Sequence, residues 1–233
     1  MGLAIRICRP RTYAGAATCN CNAWVSETID LYLLHMFDPA TPLADVAQTL
    51  DSLKKKGKIR SYGVSNHTVE QLRAHRRFGA YDAVQPCYSL VDTKIENDLL
   101  PYCQAENIGA MVYSPMHKGL LTGKYTGTET FTDFRKDLPD FQGERFRAIA
   151  AEVKGLAPLA KKYKLSTYQL ILAATLMHPG IHVAVVGIKN QPQITEAVGV
   201  MGKTISRQDY FAIRRALAVD GTSKIKDASG QKK

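Results

Sequence analysis

Polar or aromatic side chains recur at the ends of short apolar runs along the middle of this chain. His35 closes the run from Ile29, and Ser65 and Asn66 follow Ile59–Val64. Gln85 lies within Ala83–Pro86, and Tyr113 and Ser114 follow the run from Gly109. A histidine at a strand end can donate a hydrogen bond to a substrate carbonyl. The side-chain amides of Asn66 and Gln85 offer the donors and acceptors that a carboxamide ligand requires. The flat ring of Tyr113 suits stacking on a heterocycle. Each residue also has an ordinary reading: a satisfied core histidine, a turn that caps the next helix, a paired glutamine, one more core aromatic. The repetition from run to run favours a site.

Two segments suit phosphate. Gly119-Leu-Leu-Thr-Gly123-Lys124 can bring backbone N–H groups and a cation together, although its spacing is not that of a P-loop. Gly187-Ile-Lys189-Asn190 leads into a helix near Pro192, and a helix N-terminus beside Lys189 is a natural phosphate site.

These side chains need elements to hold them. Ile29–His35 is apolar enough for a strand buried on both faces. Alternation places Leu31, Leu33 and His35 on one face and Asp30, Tyr32 and Leu34 on the other. Thr41 as N-cap and Pro42 open a helix that Gly57 stops. Ile59–Val64 is a second strand, and Thr68 with Gln71 forms a capping box for a helix to Phe78. Strands at Tyr81–Pro86 and Gly109–Tyr113 flank a helix at Ile95–Glu106. A long connection runs from Pro115 to about Gly143, of the length found in lids or disordered segments. Helices at Arg145–Tyr163 and Ser166–Met177 precede a strand at Val183–Val186, and helices at Pro192–Met201 and Ser206–Val219 close the pattern. Alternating strands and helices imply an α/β fold with a parallel sheet and right-handed crossovers. Polar strand ends then point to a barrel, whose site is built at one face. About five strand–helix units are present, where a closed barrel has eight.

The chain has 233 residues, 45% of them apolar, enough for a sizeable core. The net charge of +10 is dispersed over helix ends and a polar tail, without interleaved aromatic residues. Nucleic acid is therefore not the expected partner. No apolar stretch approaches the ~20 residues of a membrane span. Five scattered cysteines point to a reducing compartment, and the cytoplasm is the expected location. Cys19-Asn-Cys21 lacks a second pair at zinc spacing, so no metal site is expected.

The segments Asp30–His35, Gly57–Asn66, Val84–Ser89, Tyr113–Met116 with Gly119–Tyr125, and Val185–Asn190 together resemble the aldo-keto reductases, from about residue 28 to 218. The resemblance implies a (β/α)8 TIM-barrel type of fold, here incomplete. It implies an oxidoreductase that transfers hydride between NADPH, or NADH as the alternative, and a small aldehyde or ketone. His35 then matches the histidine that orients the carbonyl. Ser65, Asn66 and Gln85 match the groups that hold the nicotinamide carboxamide, and Tyr113 the ring stacked on nicotinamide. Ser114, Met116, Gly119 and Leu120 match the loop near the pyrophosphate, and Lys189, Gln193 and Glu196 the adenosine end. Ala197 stands where the family often has asparagine, and Gln193 where some members carry an arginine on the 2′-phosphate.

The first unit here resembles the fourth of the family's eight. The three before it carry the catalytic aspartate, tyrosine and lysine in that family. Three such units need ~30 residues each, more than residues 1–27 supply. The expected layout is a divergent or poorly ordered segment at 1–27, a partial barrel at 28–219 and a polar tail at 220–233, as in an N-terminally truncated member. Hydride transfer is then impaired. The alternatives are a non-catalytic, cofactor-binding or regulatory-subunit-like relative, or an inert fragment. Unpaired strand edges also invite self-association.

Overall fold

The computed structural model describes residues 2–7, as backbone only, and residues 28–218. Cys8, Tyr13, Cys19, Cys21, Trp24 and the tail 220–233 lie outside the described residues, as does most of the segment 1–27. The chain forms two compact units. One comprises Ile7–Pro86 and Ile95–Met111; the other comprises Met1–Arg6, Cys87–Lys94 and Val112–Lys233.

In the first unit, β2 (Ile29–Leu34), β3 (Ile59–Ser65), β4 (Ala83–Gln85) and the start of β5 (Gly109–Tyr113) pair in parallel, in chain order. The register sets Leu33 opposite Gly63, Gly63 opposite Ala83, and Ser65 opposite Gln85. Gly63 is required by close approach, since a Cβ there would lie 2.1 Å from the Ala83 carbonyl oxygen. The crossovers are α1 (Leu43–Lys55), α2 (Val69–Arg76) and α3 (Leu99–Ala105). They bury Ala47, Leu50, Val69, Leu72, Leu99 and Leu100. Thr68 and Gln71 form the expected capping box on α2. Helix α1 starts differently: Pro42 occupies the cap position, and Thr41 donates its hydroxyl to Asp38 Oδ2 at 2.7 Å. The threonine thus closes the turn after β2, and Pro42 at the cap position offers α1 no side-chain hydrogen bond.

In the second unit, the sequence pattern foresaw no strand before Ile29, yet β1 (Gly2–Ile7) lies beside β6 (Val183–Ile188). The connection after β5 is neither extended nor bare. It contains 3-10 turns at His117–Thr122, Phe134–Asp137 and Pro139–Phe141. Phe131 packs edge-on against Tyr125, Phe141 and Phe146 at centroid distances of 5.5, 5.1 and 5.4 Å. The expected helix Arg145–Tyr163 is two, α4 (Gly143–Gly155) and α5 (Ala157–Lys162), because Pro158 sits in the first turn of α5. Helix α6 (Thr167–Leu176) carries the expected Ser166–Gln169 capping box and is buried on nearly every side. Helices α7 (Gln191–Val198) and α8 (Arg207–Ala216) complete the unit. Among the described residues, no helix is long and apolar enough to cross a membrane.

Candidate functional site

The first unit gathers four of the candidate residues at the C-terminal ends of adjacent strands. His35 follows β2 and is exposed. Asn66 follows β3 with φ +59°, a left-handed conformation that asparagine tolerates better than most residues. Its side-chain Nδ2 donates to the His35 carbonyl at 3.0 Å, and its backbone N–H donates to the Gln85 carbonyl at 3.2 Å. Ser65 is buried and donates its hydroxyl to the same Gln85 carbonyl at 2.9 Å. Gln85 is half-buried. Among the described residues, its Nε2 donates to the thioether of Met111 at 3.2 Å, and its Oε1 lies 3.5 Å from the Ser65 hydroxyl. Both are poor partners for an amide. The chemistry of this donor set therefore fits a carboxamide ligand such as nicotinamide, which would satisfy Gln85 better than sulfur does.

The second unit carries the remaining candidates. Tyr113 is half-buried at the end of β5, and its backbone carbonyl accepts the Tyr88 N–H at 3.1 Å. Burial, reinforced by the neighbouring Cys87 thiol, pushes the Tyr113 phenol above its ordinary value. Ser114 has φ +59° and accepts the His117 N–H at 2.8 Å, so the backbone turns sharply after β5. Met116 and Leu120 are buried, so these two offer a ligand only their backbone groups, while Lys118 in the same loop is exposed. Gly119, with φ +96°, belongs to that loop.

Lys189 is exposed beside the start of α7. Its backbone N–H donates to Gln193 Oε1 at 2.7 Å, and Asn190 caps the helix by accepting the Gln193 N–H at 3.1 Å. The Lys189 charge is felt by Asp133, whose carboxyl is held down at about 2, chiefly by Arg135. Glu196 accepts the Ser166 hydroxyl at 2.6 Å on Oε1, while its backbone carbonyl accepts Gln169 Nε2 at 2.9 Å. It therefore staples α7 to the capping box of α6. Among the described residues, no group of three or more histidines, cysteines or acidic residues could hold a metal ion.

These residues fall within a segment, 22–218, that matches the family model for the aldo/keto reductase family. The chain belongs to the aldo/keto reductase family. It is 34% identical to aldo-keto reductase YhdN of Bacillus subtilis (strain 168), over 82% of this chain and 59% of that protein. It is 31% identical to the NADH-specific methylglyoxal reductase of Escherichia coli (strain K12), over 81% of this chain and 59% of that protein. It is also similar to the structure of glycerol dehydrogenase AKR11B4 from Gluconobacter oxydans, with a TM-score of 0.80 and 31% identity, covering 85% of this chain and 61% of that one. The fold is thus the α/β, TIM-barrel type of the aldo-keto reductases, and the chain spans about three fifths of the length of the relatives it matches.

Pattern reading missed two groups of residues in this aldo-keto reductase chain. Ser89, His117, Asp140 and Arg145 form a relay in the second unit, buried at Ser89 and His117 and half-buried at Asp140 and Arg145. Phe37, His67, His75 and Tyr81 form an aromatic cluster in the first, buried except at the half-buried Phe37. Both are assembled from separate elements, so no local spacing announced them.

Proposed function

We propose that this chain supplies the carbonyl-facing histidine and the cofactor-binding residues of an NAD(P)H-dependent oxidoreductase acting on small aldehydes or ketones. The observation that supports this reading is the linked set His35, Asn66, Ser65 and Gln85 at successive parallel strand ends. When bound, the reduced nicotinamide supplies the hydride. His35 donates a hydrogen bond to the substrate carbonyl, and Asn66 and Gln85 hold the carboxamide. Ser65 fixes the strand end that carries Gln85, and Tyr113 offers its ring to the nicotinamide face. Ser114, Met116, Gly119 and Leu120 shape the pyrophosphate loop, and Lys189, Gln193 and Glu196 the adenosine end. Lys189 favours NADPH through a 2′-phosphate. The nearby Asp133 carboxylate offsets part of that charge, and the relative named NADH-specific keeps NADH as the alternative.

Turnover by this 233-residue chain alone is slow in our reading. Tyr32, the tyrosine of β2, alternates onto the face opposite Leu33, so it is no proton donor for a carbonyl held by His35. Carbonyl reduction without a positioned general acid is ~10²–10⁴-fold slower. The same feature supports a second reading, a cofactor-binding relative without catalysis. The free thiols Cys87 and Cys103 support a reducing compartment such as the cytoplasm. Strand β2 ends the strand order with Leu31 and Leu33 only half-buried, which supports self-association along that edge.

A fluorescence titration with NADPH and NADH, paired with aldehyde-dependent NADPH oxidation, tests the reading. Binding with slow oxidation is expected. Binding without oxidation selects the second reading, and oxidation at the rates of longer relatives refutes the slow-turnover claim. Failure to bind either nucleotide refutes both readings.

A further inference from the structure

The loop 114–120 follows a costly backbone path. His117, Lys118 and Gly119 are three consecutive left-handed residues, with φ of +46°, +55° and +96°, and Ser114 precedes them at +59°. Left-handed conformation in non-glycine residues costs free energy, and it persists only where surroundings hold it. The His117 side chain is held from both sides. Its Nδ1 lies 3.0 Å from Ser89 Oγ, and its Nε2 lies 2.7 Å from Asp140 Oδ2. Arg145 Nε donates to the other oxygen, Asp140 Oδ1. Contact with His117 and Arg145 holds the Asp140 carboxyl far below the ordinary carboxylate range. An ionised Asp140 can only accept, so His117 Nε2 carries a proton and donates it. The Ser89 hydroxyl can serve Nδ1 as donor or acceptor, and its oxygen also accepts the Asp92 N–H at 3.2 Å, so each polar group of the relay has a partner. Phe141 stacks nearly parallel to the imidazole, at 6.3 Å and 9°.

A serine, histidine and aspartate in line resemble a nucleophilic triad, but Ser89 is 1% exposed and no substrate can reach it. The relay's output is the position of residue 117. We propose that His117 is a positioning residue for cofactor binding: by bridging Ser89 and Asp140 it holds the loop 114–120 in the left-handed path that receives a dinucleotide pyrophosphate. The proposal rests on the cofactor reading above and adds to it the group that sets the loop.

Two ligands separate the loop from the rest of the unit. NADPH carries a pyrophosphate. Adenosine 2′-monophosphate has no 5′-phosphate and carries only the adenosine end, served by Lys189, Gln193 and Glu196. Dissociation constants for both would be measured on the full chain and on His117→Ala, His117→Asn and Asp140→Asn. His117→Ala is expected to weaken NADPH by about tenfold or more, equivalent to ~1.4 kcal/mol, and to leave adenosine 2′-monophosphate unchanged. His117→Asn, at home in left-handed backbone but able to meet only one of the two anchors, is expected to fall between. Asp140→Asn keeps the shape of the relay and loses its charge, and is also expected to weaken NADPH selectively. Equal NADPH affinity in His117→Ala and the parent chain overturns the proposal. Parallel loss of both ligands overturns it too, because that is the signature of a merely structural role. If His117→Ala does not fold, the same comparison is read from His117→Asn. A parent chain that binds neither ligand refutes the cofactor reading itself, and the proposal with it.

Discussion

Acidification to pH 5 should destabilise this chain through His75. The residue is 3% exposed, with Nδ1 3.0 Å from the Tyr81 hydroxyl and with Phe37, His67 and Tyr81 rings 5.9, 5.0 and 5.0 Å away. Its Nε2 and that of His67 are buried without a hydrogen-bond partner among the described residues. Burial, with the His67 ring adding to it, lowers the His75 pKa from an ordinary 6.5 to about 4. The folded chain therefore refuses a proton that the unfolded chain takes up below 6.5. Stability from this group is fully present above that pH, and it is lost as the pH falls towards 4, where the folded state also protonates. Those two values differ by enough to be worth roughly 3 kcal/mol at ~1.36 kcal/mol per unit. His67 is shifted in the same direction, also chiefly by burial, and steepens the loss. Carboxylates held low by their partners, such as Glu129 and Asp133 at about 2, act in a lower window. Urea unfolding followed by circular dichroism at pH 7.5, 6.5, 5.5 and 4.5 would read the slope. His75→Gln, whose amide can still meet the Tyr81 hydroxyl, should be flatter. An unfolding free energy independent of pH over this range, or an unchanged slope in His75→Gln, would refute the reasoning.

Other substitutions probe the scaffold that positions the site. Gly63→Ala drives a Cβ to 2.1 Å from the Ala83 carbonyl oxygen, a backbone atom that cannot move aside without parting β3 from β4. It should cost about 3 kcal/mol, the upper end of ordinary overpacking, read as a lower urea midpoint. Ser166→Ala removes the α6 cap and the hydroxyl that Glu196 accepts, and should cost about 1–2 kcal/mol in the same assay. Leu31→Lys places a charge on the edge strand β2 and should shift sedimentation towards monomer if that edge mediates self-association.

Much of this architecture was legible from local rules. The capping boxes at Thr68 and Ser166 need only a short-range reciprocal pair, and both helices start where that pair places them. The apolar runs ending in His35, Ser65 and Tyr113 lie where parallel pairing makes strands. Where competing local chemistry existed, the pattern failed. Asp38 claimed the Thr41 hydroxyl, and Pro158 divided a helix that apolar periodicity alone would continue. Strand β1 was not foreseen, because its short run gave no clear periodicity and its placement depends on β6, far along the chain. The relay through His117 was equally hidden: its partners are 28 and 23 residues away, and only tertiary packing brings them together. Glu196 was legible as a polar residue on α7, while its attachment to Ser166 became visible only in three dimensions.

The strand ends bearing Asn66 and Gln85 are the proposed seat of the nicotinamide cofactor. Thermal melts of the parent chain and of an Asn66→Ala/Gln85→Ala double variant, each with and without excess NADPH, test it most directly. At a hundredfold excess over its dissociation constant, NADPH should add ~2.7 kcal/mol to the parent chain, seen as a cooperative transition displaced upward. The double variant should melt cooperatively with little or no displacement. An undisplaced parent transition, or equal displacement in both proteins, would contradict the account.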